Sequence, residues 1–202
     1  GVLFFTLQSG HVGRLNPATT VARTPTANTY PYGIQVNSKG IPWYVDFNGN
    51  RVGSIDPMTM EIREYPLPNA ESRPRRIALT PDDAVWYTDY PRGYLGRFDP
   101  VTGEVREWRS PGGPRSQPYG IASVGDVLWY SESGVKPNTL VRFDSRSETF
   151  QTWAIPSGGG VVRHMMATHD GNLVLACSGV NRVGLVEVRS EAAAAPPHAH
   201  WA

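Results

Sequence analysis

The chain has 202 residues, 40% of them hydrophobic, and its 19 basic and 18 acidic side chains leave a net charge near +1. So even a balance gives no basis for a nucleic acid or an anionic membrane as partner, and no apolar run approaches the roughly 20 residues of a membrane span. The 21 Gly, 18 Pro, 6 Trp and 9 Tyr point to many short strands and turns instead of helices.

In chain order, the opening "GVLFFTL" reads as a strand and not as a signal peptide. "VGRLNP" follows from Val12, and the same word returns as "VGSIDP" from Val52, "LGRFDP" from Leu95, "LVRFDS" from Leu140 and "VGLVEV" from Val183. Ahead of it stands a Trp-Tyr pair at 43, 86 and 129. Ahead of that come "YPYGI" from Tyr30, "RPRRI" from Arg73, "QPYGI" from Gln117 and "VVRHM" from Val161. After the Asp-Pro turn come "EIREYPLP", "EVREWRSP" and "TFQTWAIP". Four anchors therefore state one period of about 43 residues. Each anchor has the alternation or aromatic content of a strand, and Gly- or Asp-bearing turns separate them.

Four strands per repeat is the pattern of a β-propeller blade. The fold expected is all-β, a propeller of four-stranded antiparallel blades with about 4.5 repeats visible. Strands are lettered A to D outward from the axis. The chain starts at a B strand and its last repeat stops after C. The blades fall near 2–26, 32–67, 75–110, 119–155 and 162–188, in one domain over 1–188. The Ala/Pro-rich tail 189–202 reads as disordered, and its His198 and His200 as solvated. Blades one and five then carry open edges, which invite self-association. The repeated tryptophans are read as packing between blades. The single Cys177 excludes an internal disulfide, reads as a small buried hydrophobe and fixes no compartment.

The repeat resembles that of the virginiamycin B lyase (streptogramin lyase) family. The words that carry the resemblance are "PYGI", "WYVD", "NRVGSID" and "EYPLP" in blade two, with "WYTD" and "LGRFD" in blade three. It covers about residues 2 to 188. It implies a seven-bladed propeller, longer than this chain by about two blades, so the repeats form either a fragment or a small five-bladed relative. It also implies elimination across an ester C–O bond of a cyclic depsipeptide antibiotic, with a histidine as general base and Mg²⁺ held by glutamates. Such a base needs a pKa near the working pH, and such a metal acts as a Lewis acid on hard oxygen ligands.

Carried over position by position, the family's histidine falls on Tyr32, Arg75, Tyr119 and Arg163. His164 stands one residue later, in the glycine slot, and is the candidate base if the strand slips by one. The acidic slot two residues ahead holds Tyr30, Arg73, Gln117 and Val161. The acidic slot on strand B holds Asp46, Asp89 and Glu132, the candidate metal ligands by resemblance, and Cys177 in the last blade. A carboxylate repeated at one register also suits the capping of turn N–H groups. Tyr32, Arg75, Tyr119 and Arg163 share one register on four A strands and should converge on the axis, as a cationic, aromatic mouth for a small anionic ligand. Arg76 is expected to face the blade or the rim, and His164 to point away from Arg163 unless a bulge intervenes. Two functions stand side by side. One is a propeller that binds a small, anionic ligand. The other is an enzyme, either an Mg-dependent C–O lyase of the virginiamycin B type or a lactonase-like hydrolase.

Overall fold

The computed structural model describes residues 1–189, so residues 190–202 of the tail, with its two histidines, lie outside the described residues. Those residues form strands and turns and no helix. Five antiparallel sheets follow one another along the chain. The first holds β1 (Leu3–Leu7), β2 (His11–Leu15) and β3 (Thr19–Arg23). The second holds β4 (Pro31–Val36), β5 (Pro42–Asp46), β6 (Arg51–Ile55) and β7 (Ile62–Pro66). The third holds β8 (Pro74–Leu79), β9 (Val85–Asp89), β10 (Tyr94–Phe98) and β11 (Val105–Arg109). The fourth holds β12 (Pro118–Val124), β13 (Val127–Glu132), β14 (Thr139–Asp144) and β15 (Thr149–Ala154). The fifth holds β16 (Val161–Ala167), β17 (Leu173–Ser178) and β18 (Arg182–Val186).

The architecture is that of a β-propeller. The inner strands β4, β8, β12 and β16 pack side by side, with β1 beside β4. Each sheet packs on the next, and no packing of comparable extent joins the fifth to the first, so the blades form an arc and not a closed ring.

One aromatic arrangement recurs between blades. Trp43 on β5 and Tyr65 on β7 meet Phe98 on β10 of the next blade, with centroids 5.1 to 5.8 Å apart. Trp86, Trp108 and Phe143 repeat it one blade later, at 5.0 to 5.8 Å. Aromatic pairs at these distances contribute about 0.5–1.5 kcal/mol each beyond the area they bury. That is why the Trp-Tyr pair recurs with the period of the blade. The tyrosine of the pair turns to the opposite face, because side chains alternate along a strand. Tyr44 and Tyr87 lie flat on the strand beside them, over Gly53 and Gly96. A Cβ at Gly96 would stand 2.0 Å from the Tyr87 ring. Glycine there makes room for a fully buried ring.

Candidate functional site

Every inner strand is irregular at the same place. The register shifts between Pro31 and Ile34, Pro74 and Arg76, Pro118 and Ile121, and Val162 and His164. One extra residue is accommodated on each inner strand, at the position of Tyr32, Arg75, Tyr119 and Arg163. A bulge bends the strand and re-aims its side chains, and bulges cluster beside functional sites. The adjoining slot holds Gly33 and Gly120 in two blades and Arg76 and His164 in the other two. A Cβ on Gly33 would lie 3.0 Å from the Arg76 Cα. Glycine thus lets neighbouring inner strands close together, and Arg76 and His164 place side chains where glycine leaves none.

Along the inner strands of the arc the structure gathers rings around one guanidinium. The Arg75 guanidinium carbon lies 3.9 Å from the Tyr119 ring centroid, 4.2 Å from Tyr90, 4.4 Å from Phe47 and 5.6 Å from Tyr32. Its Nε is buried without a hydrogen-bond partner. The Tyr32 and Tyr119 hydroxyls are 2.7 Å apart. Tyr30 stacks on Tyr32 at 6.1 Å, extending the aromatic wall. Phe47 and Tyr90 escaped the sequence reading, although both follow the strand-B carboxylate directly, in "WYVDF" and "WYTDY". That shared register was the available signal.

Arg76 corrects an expectation. It does not turn to the blade or the rim: its guanidinium lies 4.8 Å from the Tyr32 ring, and its Nε donates to the carbonyl of Arg163 at 3.0 Å. It therefore reaches across from blade three to blade five. Arg163 itself donates from Nε to Ser178 Oγ at 3.2 Å. Among the described residues, Arg75, Arg76 and Arg163 form no ion pair with a carboxylate. The bulge also cancels the simple alternation that would have sent His164 away from Arg163.

The electrostatics follow from this crowding. Burial acts to raise the Tyr32 phenol, but the hydrogen bond shared with Tyr119 and the Arg76 and Arg75 charges outweigh it and hold it below its ordinary value. Burial and the bond to Tyr32 push Tyr119 the other way. His164 is held below the ordinary imidazole value, by loss of water first and by Arg76 second.

The strand-B carboxylates cap backbone. Asp46 is 1% exposed and accepts from the amides of Tyr30 at 2.7 Å and Asn48 at 3.0 Å. Asp89 is fully buried, accepting from the Arg73 amide at 3.1 Å and from Arg92 at 2.8 Å. Glu132 accepts from the Gly112 amide at 2.6 Å and from Ser110 and Thr139 hydroxyls. Three acidic groups already engaged, each in its own blade, do not make an Mg²⁺ site. Among the described residues no three His, Cys, Asp or Glu side chains cluster as metal ligands. The family's metal therefore does not fit this donor set. Cys177, in the same slot of blade five, is buried.

No protein-family model and no curated protein matches the chain. Solved structures do. The chain is 30% identical to a catalytically inactive virginiamycin B lyase from Staphylococcus aureus, solved with quinupristin, over 92% of this chain and 62% of that one, with a TM-score of 0.83. A streptogramin B lyase is 25% identical over 95% of this chain and 66% of that one, with a TM-score of 0.78. A 6-phosphogluconolactonase-like protein from Bacteroides uniformis shares the fold alone, with 16% identity, a TM-score of 0.71 and coverage of 94% and 66%. The chain spans under two thirds of the length of each. At the family level it resembles the virginiamycin B lyases.

Proposed function

We propose that this streptogramin-lyase-like propeller binds a small anionic ligand at the mouth of its channel. One observation carries the reading: three arginines converge there with no carboxylate to offset them. Guanidinium groups take carboxylates in paired hydrogen bonds, and each charge-assisted bond contributes about 1.5–3 kcal/mol. Arg75 is enclosed by rings and supplies field more than contact. Arg76 and Arg163 supply the contacts, and the aromatic wall takes the apolar body of the ligand. Isothermal titration with citrate tests it. Arg76→Ala and Arg163→Ala should each weaken binding by the amount just given. Equal binding by both variants overturns the reading.

A second reading, elimination at a C–O bond, rests on His164. A general base must be unprotonated at the working pH, and the depressed pKa of His164 meets that condition. The test is linearisation of a virginiamycin B-type cyclic depsipeptide. Ring opening that His164→Ala abolishes, while the arginine variants keep it, would favour this reading over the first.

A further inference from the structure

Two phenols of unequal character stand together on the inner strands. Tyr32 on β4 and Tyr119 on β12 share a hydrogen bond of 2.7 Å between their hydroxyls. Tyr119 is 1% exposed, whereas Tyr32 is half-buried and keeps a face to solvent. Arg75 on β8 has its guanidinium carbon 3.9 Å from the Tyr119 ring centroid and 5.6 Å from that of Tyr32. The Arg76 guanidinium lies 4.8 Å from the Tyr32 ring, and Phe47 packs 5.8 Å from it on another side. All of these groups belong to blades two, three and four.

Like charges this close repel, so the pair can hold one negative charge but not two. A phenolate accepts hydrogen bonds and donates none, so with the charge on Tyr32 the shared proton is donated by Tyr119. Burial notwithstanding, Tyr32 is held below the ordinary phenol value, while burial and the bond to Tyr32 hold Tyr119 above it. Titratable neighbours driven apart in this way mark a base and the group that supports it. The base is the member that a ligand can reach.

The ligand beside it follows from the arginines. Arg76 is fixed through Nε to the Arg163 carbonyl, and Arg163 through Nε to Ser178 Oγ. Their terminal nitrogens remain donors for a carboxylate. A carboxylate alone does not make a neighbouring C–H acidic enough for a phenolate. An adjacent carbonyl does, because the released charge passes to its oxygen, where a guanidinium opposes it.

We propose that Tyr32 is a general base that enolises an α-oxo carboxylate, with Tyr119 as the positioning residue that holds its phenolate. The inference rests on the anion reading. The Tyr32 oxygen takes a proton from the carbon next to the carbonyl. The C–H electron pair becomes the carbon–carbon double bond of the enolate, and the carbonyl oxygen receives the charge. The proton on Tyr32 exchanges with water, and a solvent proton returned to carbon restores the oxo acid. No other reactant is consumed.

The probe is phenylpyruvate in deuterated water. Proton NMR follows loss of its methylene signal, and isothermal titration follows its binding separately. Exchange above the buffer rate is expected. Tyr32→Phe should slow it about a hundredfold while binding changes little. Tyr94→Phe, the same change on an outer strand, should leave it as it was. The rate should rise with pH, and Tyr119→Phe should move its midpoint upward, a shift that a purely structural role would not produce. Citrate bound without phenylpyruvate, or phenylpyruvate bound without exchange, overturns this inference alone. Failure to bind either anion overturns the anion reading with it. Equal exchange by Tyr32→Phe, an unmoved midpoint in Tyr119→Phe, or exchange lost in His164→Ala and kept in Tyr32→Phe each overturn it as well.

Discussion

The Tyr119 and Tyr32 hydroxyls share a hydrogen bond of 2.7 Å, across 87 positions of sequence. The bond joins the inner strands of blades two and four and splits the two phenols, lowering one and raising the other. A spectrophotometric titration should therefore find one tyrosine ionising below the ordinary range. In Tyr119→Phe the partner hydroxyl is gone, and that early ionisation should move to higher pH. An unchanged titration would deny the bond.

Four rings surround the Arg75 guanidinium. A desolvated cation–π contact contributes about 2 kcal/mol, so Arg75→Ala should lose at least that in urea unfolding. Arg75→Lys should recover only part of it, because an ammonium cannot stack as a flat guanidinium does. Full recovery by lysine would reduce the arrangement to simple charge.

His164 should titrate below the ordinary imidazole value when followed by NMR. Arg76→Ala removes the second of its two depressing causes and leaves burial in place. The midpoint should rise without reaching the ordinary value. No movement would separate Arg76 from His164 in solution.

Asp89 is held above the usual carboxylate range, chiefly by burial, although the Arg73 amide and Arg92 act against this. A carboxyl raised on folding binds more protons folded than unfolded, so its contribution to stability falls as pH rises through the folded pKa. The cost of Asp89→Asn should accordingly be largest in acid and shrink as pH rises across that window. Chemical denaturation at a series of pH values checks the sign.

Gly96→Ala places a methyl group against the Tyr87 ring, which has nowhere to go within a buried interface. Overpacking of this kind costs about 1–3 kcal/mol. Thermal unfolding should show the loss, and because Gly96 does not have a positive φ, backbone strain adds nothing to it.

Much of this architecture is legible in the repeat. The B, C and D order of the first sheet, the A, B and C order of the last, and the aromatic seam between blades all follow from anchors that recur every 43 residues or so. Strand alternation is local, and a blade must bury the same face each time it is repeated. The shared register of Tyr32, Arg75 and Tyr119 was legible for the same reason. Their contacts were not. A bulge breaks the two-residue period by one, so neither Arg76 nor His164 could be aimed from alternation alone.

The sequence by itself determined the repeating strands, their turns and the positions available to a site, because each depends on neighbours a few residues away. Only the tertiary structure decided which positions meet. The curvature of the arc brings Arg76 to the Arg163 carbonyl and Tyr32 to Tyr119, each pair 87 residues apart. It wraps Phe47 and Tyr90 around Arg75. These encounters depend on how whole blades pack on one another, and the period of a single blade carries no record of that angle.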